Sequence, residues 1–268
     1  MGKAIYNPVG KAGEYARWAC NFYVGCSNDC DYCYCKKGAL GSVAGGKEPR
    51  LKACFKDTDH AFDVFRKEMY KNAGRIRKEG GLFFSFTSDP LLPQTEKLTA
   101  MCVVYATSLG IPCQVLTKCT AWADNVPVLY NTFLSMKELV SVGFTLTGMD
   151  GMETGLTVGS NAQRVALMRR LHDDGVKTFA SVEPVIGIPE ALGAIRDAID
   201  GCDLLKIGLL SGKRDYDMGE MERFIDEVCQ LCVDHAVPVY WKKSVTELIG
   251  RNVSCAQCVG ADYVMAQY

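Results

Sequence analysis

Cys26-Ser-Asn-Asp-Cys30-Asp-Tyr-Cys33-Tyr-Cys35 places four thiols in one short stretch, directly after the apolar, β-prone run Phe22-Tyr-Val24. Cys26, Cys30 and Cys33 have the spacing C-x3-C-x2-C. Thiolates are the usual ligands of iron–sulfur clusters, and three of them leave one iron of a 4Fe-4S cluster open to a small molecule. The stretch therefore predicts a cluster-binding loop at the end of a first strand.

Structural zinc and disulfides are the alternatives for such a density of cysteines. Zinc sites need four ligands, typically in two spaced pairs. The thiols between Cys26 and Cys35 lie too close in sequence for an easy tetrahedral arrangement, and none of the three histidines is nearby. A disulfide framework implies secretion, but Met1-Gly-Lys-Ala4 lacks the apolar core of a secretory signal.

Length and composition predict an ordinary globular protein, and we expect it in the cytoplasm. The chain has 268 residues, 48% of them hydrophobic and 23% charged, which fits a single α/β domain. Thirty basic and thirty-one acidic residues give a net charge of −1, which argues against broad nucleic-acid binding. No apolar stretch approaches the length of a membrane span. With fourteen cysteines, we expect a reducing compartment and thiols that are free or bound to metal.

Strand-like and helical segments alternate along most of the chain. The strand-like segments lie at 21–25, 82–86, 113–117, 139–146, 177–182, 204–208 and 237–241. Such alternation with short connections predicts a parallel sheet. Curved into a full or partial barrel, that sheet gathers the loops after its strands at one mouth. We expect a lead-in over 1–20, a β/α barrel over 21–241 and a C-terminal extension over 242–268.

The cysteine motif and this order of elements resemble the radical S-adenosylmethionine (radical SAM) superfamily, whose members commonly use a partial (βα)6 barrel. Several stretches are similar to its spore photoproduct lyase-like branch and uncharacterised bacterial and phage relatives. They are Cys26-x3-Cys30-x2-Cys33-Tyr34, Phe86-Thr-Ser-Asp-Pro90, Leu116-Thr-Lys118 and Ser181-Val-Glu-Pro184. The cysteine motif is specific, and the other three are short but occur in order at predicted strand ends.

The resemblance implies a 4Fe-4S cluster on Cys26, Cys30 and Cys33 whose open iron binds SAM. Reductive cleavage of SAM then produces a 5′-deoxyadenosyl radical that abstracts hydrogen from a substrate, which the sequence does not identify. It also implies an electron donor such as flavodoxin or ferredoxin. The cofactor carries the difficult chemistry, and the protein binds and orients.

Six further residues take SAM-binding roles by this resemblance: Tyr32, Thr87, Ser88, Lys118, Thr145 and Glu183. Lys118 would pair with the SAM carboxylate, and Thr87 and Ser88 would contact its amino or ribose groups. Tyr32 would lie beside the adenine, Thr145 beside the ribose, and Glu183 beside ribose or substrate. Structural roles are the alternatives: helix caps for the hydroxyls, a solvated loop lysine, and a turn at Glu183-Pro184.

Phe86 is a departure from the photoproduct lyases, which have at this place a cysteine that returns hydrogen to the product radical. Repair of thymine dimers is therefore not expected, unless Cys35 or Cys113 takes that part. The substrate of the branch is not carried over to this chain.

Two more cysteine pairs leave a second metal centre open. Cys229 and Cys232 fall in a predicted helix, where cysteine is commonly a small buried hydrophobe. Cys255 and Cys258 lie in a polar tail whose turn can present both sulfurs. Together the four thiols are candidates for an auxiliary cluster or a zinc ion. The alternative function for the whole chain is a non-catalytic iron–sulfur or zinc-binding regulatory or interaction protein.

Overall fold

A computed structural model of the chain describes residues 3–125, 127–213 and 215–263. The strands in these ranges are β1 (Ile5–Tyr6), β2 (Ala19–Cys20), β3 (Tyr23–Val24), β4 (Arg50–Leu51), β5 (Leu82–Phe84), β6 (Cys113–Thr117), β7 (Val140–Thr145), β8 (Lys177–Val185), β9 (Leu205–Leu209) and β10 (Val239–Trp241). The α-helices in the same ranges are α1 (Gly38–Ala44), α2 (Thr58–Lys78), α3 (Glu96–Ser108), α4 (Trp122–Asn125), α5 (Pro127–Ser135), α6 (Asn161–Asp173), α7 (Ile188–Ala198), α8 (Met218–Asp234) and α9 (Lys243–Ile249).

A mostly parallel sheet forms the centre of the molecule. Its strand order is β1-β2-β5-β6-β7-β8-β9-β10, in which β2 through β10 pair in parallel and β1 is antiparallel to β2. Within the described residues β1 and β10 are its two edges, so the sheet forms an incomplete barrel. The predicted α/β fold with a parallel, partial barrel is confirmed.

The sheet curves so that alternate side chains of each strand face an inner cluster. Ala19, Phe83 and Phe179 come from β2, β5 and β8, yet they pack together. Their strand neighbours Phe84 and Ala180 belong instead to the larger core between the sheet and the helices. This alternation follows from the two-residue period of a strand, and it places polar inward residues at the carboxyl ends, where the loops meet.

The helices cover the outer face of the sheet with regularly spaced apolar side chains. Helix α2 buries Ala61, Phe65, Met69 and Ile76, and its first turn is capped by the Asp57 carboxylate, which accepts the His60 N–H at 2.7 Å. None of the helices in the described part of the chain is long and apolar enough to cross a membrane.

The strand predicted over 21–25 is confirmed only in part: Tyr23–Val24 is a strand, but it is not the first strand of the barrel. The barrel strand is Ala19–Cys20, which pairs with β5, and Tyr23–Val24 pairs antiparallel with β4 in a separate two-stranded sheet. Asn21 separates the two strands. Its side-chain Oδ1, in place of a backbone carbonyl, accepts the Phe86 N–H at 2.7 Å. The apolar run that suggested a barrel strand places Phe22 against Phe65 of α2.

The C-terminal extension continues from α9 to the amino end of the barrel. The Val239 N–H donates to Gln257 O and the Val259 N–H donates to Val239 O, both at 2.9 Å. Val259 and Tyr263 pack against the inner cluster. The extension thus covers the edge of β10 and the end of the barrel opposite the loops.

Candidate active site

One cavity of about 430 Å³ opens at the carboxyl ends of the parallel strands. All nine residues that the sequence singles out line it: Cys26, Cys30, Tyr32, Cys33, Thr87, Ser88, Lys118, Thr145 and Glu183. They come from the cysteine loop and from the ends of four strands, because the carboxyl ends of parallel strands meet at one edge. The structure brings the whole predicted set together, and the role of each residue stays a prediction.

Backbone hydrogen bonds hold the cysteine loop in tight turns. The Cys26 N–H donates to Gly46 O at 2.9 Å and the Cys33 N–H donates to Cys30 O at 3.2 Å. Gly25, just before the loop, has φ +80°, and a Cβ there would lie 2.3 Å from Glu48 O. Only glycine fits this close approach. Cys30 is buried, whereas Cys26 and Cys33 are half-buried on the cavity wall.

The three thiols have unequal environments. Burial raises the pKa of Cys26 to about 12, with the Asp89 carboxylate adding to the effect. Burial also raises the pKa of Cys30, while the Lys118 charge opposes that rise. A hydrogen bond with the Cys35 thiol lowers the pKa of Cys33 to about 6. Cys35 itself is buried, lines the same cavity and donates to Phe86 O at 3.7 Å.

Asp89, which the sequence did not single out, organises the loops around the cavity. Its Oδ2 accepts the Asn28 amide at 2.8 Å and the Lys118 N–H at 2.7 Å. Its Oδ1 accepts the Thr117 hydroxyl at 2.7 Å and the Leu91 N–H at 3.0 Å. One buried carboxylate therefore joins the cysteine loop to the ends of two strands, and this positioning role accounts for Asp89 itself without a ligand.

The hydroxyls of Thr87 and Ser88 differ in whether they are free to hydrogen-bond to a ligand. The Thr87 hydroxyl donates to Tyr23 O at 2.6 Å, so its proton is already engaged. The Ser88 hydroxyl is buried and has no hydrogen-bond partner among the described residues. Asn28 Oδ1, on the same cavity, also lacks one within those residues. Buried polar atoms normally find partners, so these two are open to a polar ligand group or to water in the cavity.

Lys118 brings a positive charge to the cysteine loop. Its ammonium lies 5.5 Å from the centroid of the Tyr32 ring. Across the described ranges that ammonium makes no hydrogen bond or ion pair with a side chain. Burial lowers the pKa of Lys118, but the negative charges of Cys30 and Glu153 outweigh burial, and the net shift is upward. Lys118 is therefore a charged donor available to an anionic ligand group.

A buried ion pair fixes Tyr32 from behind. The Tyr32 hydroxyl donates to the Glu153 carboxylate, which also pairs with the Arg164 guanidinium. Both side chains of that pair are fully buried. Arg164 further donates to Gly159 O at 2.9 Å and to the carbonyl of Thr145. The pair thereby anchors both the Tyr32 ring and the strand end that carries Thr145.

The far wall carries a second polar group. The Glu183 carboxylate accepts the Tyr15 hydroxyl at 2.7 Å and the Lys242 ammonium at 2.5 Å. Below it, Lys206 lies 5.1 Å from the Tyr15 ring centroid and 5.2 Å from that of Phe179. Burial lowers the pKa of Lys206 to about 7, and the Lys242 charge adds to this effect. Glu183 is thus already paired with a lysine, which sequence analysis did not foresee.

No family model and no curated protein matches the chain. The fold is similar to that of Streptococcus suis SuiB bound to S-adenosylmethionine, with a TM-score of 0.51, 10% identity, and coverage of 82% of this chain and 48% of that one. SuiB bound to precursor peptide SuiA matches with a TM-score of 0.51 and 10% identity over 82% and 47% of the two chains. A radical SAM methyltransferase from Sphaerobacter thermophilus has a TM-score of 0.46 and 15% identity over 90% and 70%.

The chain spans about half the length of SuiB. At 10% identity the similarity shows a shared fold alone. The SuiB crystal structure with that fold contains bound SAM. The narrower resemblance to the spore photoproduct lyase-like branch stays a prediction.

Lys206 predicts a specific pH dependence of stability. An unfolded lysine keeps its proton to about pH 10.4, whereas folded Lys206 loses it near pH 7. Between these values the unfolded chain binds more protons, so the cost of burying Lys206 falls as pH rises. We expect Lys206→Met to raise the free energy of unfolding, and we expect this gain to shrink by about 1.4 kcal/mol per pH unit from pH 7.5 to 9.5.

Anaerobic denaturant titrations at several pH values measure this difference. Lys71→Met, at an exposed position of α2, is the matched control and should differ from wild type by a constant amount. A gain from Lys206→Met that does not change with pH would show that Lys206 keeps an ordinary pKa.

Proposed function

We propose that the protein is a radical SAM enzyme that holds a 4Fe-4S cluster on Cys26, Cys30 and Cys33 and binds SAM in the cavity beside them. One observation carries the proposal: the three thiols share a single cavity with the Lys118 ammonium and the Ser88 hydroxyl, neither of which has a hydrogen-bond partner within the part of the chain that the structure describes. Cluster and SAM, when bound, supply reductive cleavage to methionine and a 5′-deoxyadenosyl radical.

The spacing of the loop thiols fits a cluster better than a single ion. Among the described residues, three metal-ligating atoms lie within 4.8 Å of one another only at Cys229, Cys255 and Cys258. The sulfurs of Cys26, Cys30 and Cys33 are therefore not all within 4.8 Å of one another. Ligands that each bind a different iron of one cluster are spread in this way, whereas the ligands of one zinc ion crowd around it.

The chain's own residues then bind and orient SAM. Lys118 donates to the SAM carboxylate as a compact charge. Ser88 hydrogen-bonds to the amino group, and the Tyr32 ring, fixed through Glu153, lies beside the adenine. Thr145 contributes a wall near the ribose. Ser88, Tyr32 and Thr145 are buried and Lys118 is half-buried, so these groups act in a partly desolvated cavity.

The substrate and the electron donor contact different groups in our proposal. Glu183, with Lys242 and Tyr15, provides the polar groups that contact the ribose or the unidentified substrate. Near the cysteine loop, Lys37 is exposed, whereas the charge of Lys47 is paired with Asp29 at 2.7 Å. The Lys37 charge suits an acidic one-electron donor such as flavodoxin or ferredoxin.

The decisive experiment is anaerobic purification, iron–sulfide reconstitution and reduction with dithionite in the presence of SAM. We expect brown protein with about four irons per chain that releases 5′-deoxyadenosine. A colourless protein with zinc bound at Cys26, Cys30 and Cys33 would overturn the proposal and favour a non-catalytic binding protein. Zinc that survives substitution of all three cysteines lies elsewhere and does not count against it.

Replacement of Lys118 should weaken SAM binding without loss of the cluster. A hydrogen bond to a charged group contributes about 1.5–3 kcal/mol, so Lys118→Met is expected to raise the Kd for SAM roughly ten- to hundredfold. Equilibrium dialysis of reconstituted protein measures this, with iron content as the check on the cluster. Lys71→Met should bind SAM like wild type, and an unchanged Kd in Lys118→Met would remove this lysine from the site.

A further inference from the structure

A second group of thiols lies away from the cavity. The sulfurs of Cys229, Cys255 and Cys258 are all within 4.8 Å of one another, and those of Cys255 and Cys258 are 2.7 Å apart. None of these residues lines the cavity. Residues separated by more than twenty positions have thus brought three metal-ligating atoms to one point.

Two different local structures present these thiols. Cys229 and Cys232 are one turn apart on α8, so their side chains share a helix face. Cys255 and Cys258 are the ends of a turn closed by the Cys258 N–H, which donates to Cys255 O at 3.2 Å. Paired cysteines with two residues between them, one pair on a helix and one on a turn, are typical of structural zinc sites.

A purely apolar role does not account for this arrangement. Cys229, Cys255 and Cys258 are half-buried, and the turn carries polar neighbours such as Ser254 and Gln257. After α9 the described residues up to Tyr263 contain no helix or strand. Two backbone bonds to Val239 and the packing of Val259 and Tyr263 hold this segment against the barrel, and a cross-link through the cysteines would add a further constraint on its conformational freedom.

We propose that Cys229, Cys255 and Cys258 bind one zinc ion, with Cys232 as the fourth thiolate. Cys232 lies one turn from Cys229 on α8. Burial raises the pKa of Cys232, and the charges of Cys255 and Cys258 are close enough to add to this effect. Binding of the ion requires the Cys232 side chain to rotate toward the group. The four thiols release their protons on binding and surround the ion tetrahedrally at about 2.3 Å. The ion then joins α8 to the turn that pairs with β10.

The site has a structural purpose at the base of the barrel. Val259 directly follows the turn and, with Tyr263, packs against the inner cluster. Zinc at Cys255 and Cys258 would hold this segment over the amino end of the strands. It therefore protects the barrel interior from the side opposite the candidate active site.

The test measures metal in the full-length chain with the first site removed. A Cys26→Ala/Cys30→Ala/Cys33→Ala variant, expressed with zinc, should retain about one zinc per chain, and X-ray absorption should show sulfur ligands at about 2.3 Å. Adding Cys255→Ser and Cys258→Ser should remove the zinc. Cys54→Ser, at an exposed cysteine outside the group, should leave it in place. Wild-type protein, assayed in parallel, should hold the same zinc beside its iron.

A conservative substitution serves as the control for correct folding. Cys255→His keeps a Cys3His ligand set and should retain zinc with the circular dichroism of the parent protein. The proposal is overturned by protein without zinc, by zinc that persists in the Cys255→Ser/Cys258→Ser variant, or by iron and sulfide bound here instead. A Cys255–Cys258 disulfide found after anaerobic purification would also overturn it. None of these outcomes bears on SAM cleavage, which is assayed separately.

Discussion

Alanine at Cys30 is expected to abolish the iron–sulfur cluster and the release of 5′-deoxyadenosine together. The proposed cluster has three protein ligands, and Cys30 is the one that is buried beside Lys118. Two remaining thiolates cannot hold the cluster in place, so both iron and sulfide content should fall to background. Product should fall to the level of a protein-free blank in the dithionite assay. Cys26→Ala and Cys33→Ala should behave in the same way.

Cys35→Ala is the matched control. Cys35 belongs to the same loop, lines the same cavity and is buried like Cys30. Its thiol lies 3.7 Å from Phe86 O and also interacts with Cys33, but the C-x3-C-x2-C spacing does not include it. We expect this variant to keep the cluster and most of the activity. If Cys35→Ala lost the cluster while Cys26→Ala kept it, the assignment of ligands would be wrong.

The sequence predicts the barrel well because its signals are local. Apolar runs of strand length, separated by helical patterns, mark β5 through β10, and each structural strand overlaps its predicted segment. The site follows from the same pattern, since polar residues placed after parallel strands must meet at one edge. The first barrel strand is misplaced in the prediction because a tertiary contact ends it. The Asn21 side chain accepts a hydrogen bond from Phe86, which is 65 positions away in the sequence, and no local pattern shows such a contact.

The contacts that shape the site have no local signal. Tyr32 and Glu153 are 121 positions apart, and Glu183 is 59 positions from Lys242. The helical and strand periodicities of the sequence do not predict contacts between residues so far apart. Arg164 is the exception, because it falls four residues before Met168 and seven before Leu171 on the buried face of α6. A charged residue on an apolar helix face indicates a buried partner, and this signal was open to sequence analysis.

Arg164→Met is expected to destabilise the folded protein by about 3–5 kcal/mol. The substitution leaves the Glu153 carboxylate buried without its cation, and it frees the carbonyls of Gly159 and Thr145. Desolvation of an unpaired charge then opposes folding. Urea denaturation of the apoprotein under anaerobic, reducing conditions measures the loss. Arg170→Met on the same helix is the control, because its pair with Asp124 is exposed (46% and 77% for the two side chains) and should contribute at most about 1 kcal/mol.

The double variant Arg164→Met/Glu153→Met separates the ion pair from simple packing. Removing both charges eliminates the unpaired carboxylate, so the double variant should be more stable than Arg164→Met alone. It also removes the acceptor of the Tyr32 hydroxyl. If Tyr32 binds the adenine, its ring is then less constrained, and SAM affinity should fall in the double variant even where stability is partly restored. If the single and double variants had equal free energies of unfolding, the unpaired Glu153 carboxylate would not be the cause of the instability of Arg164→Met.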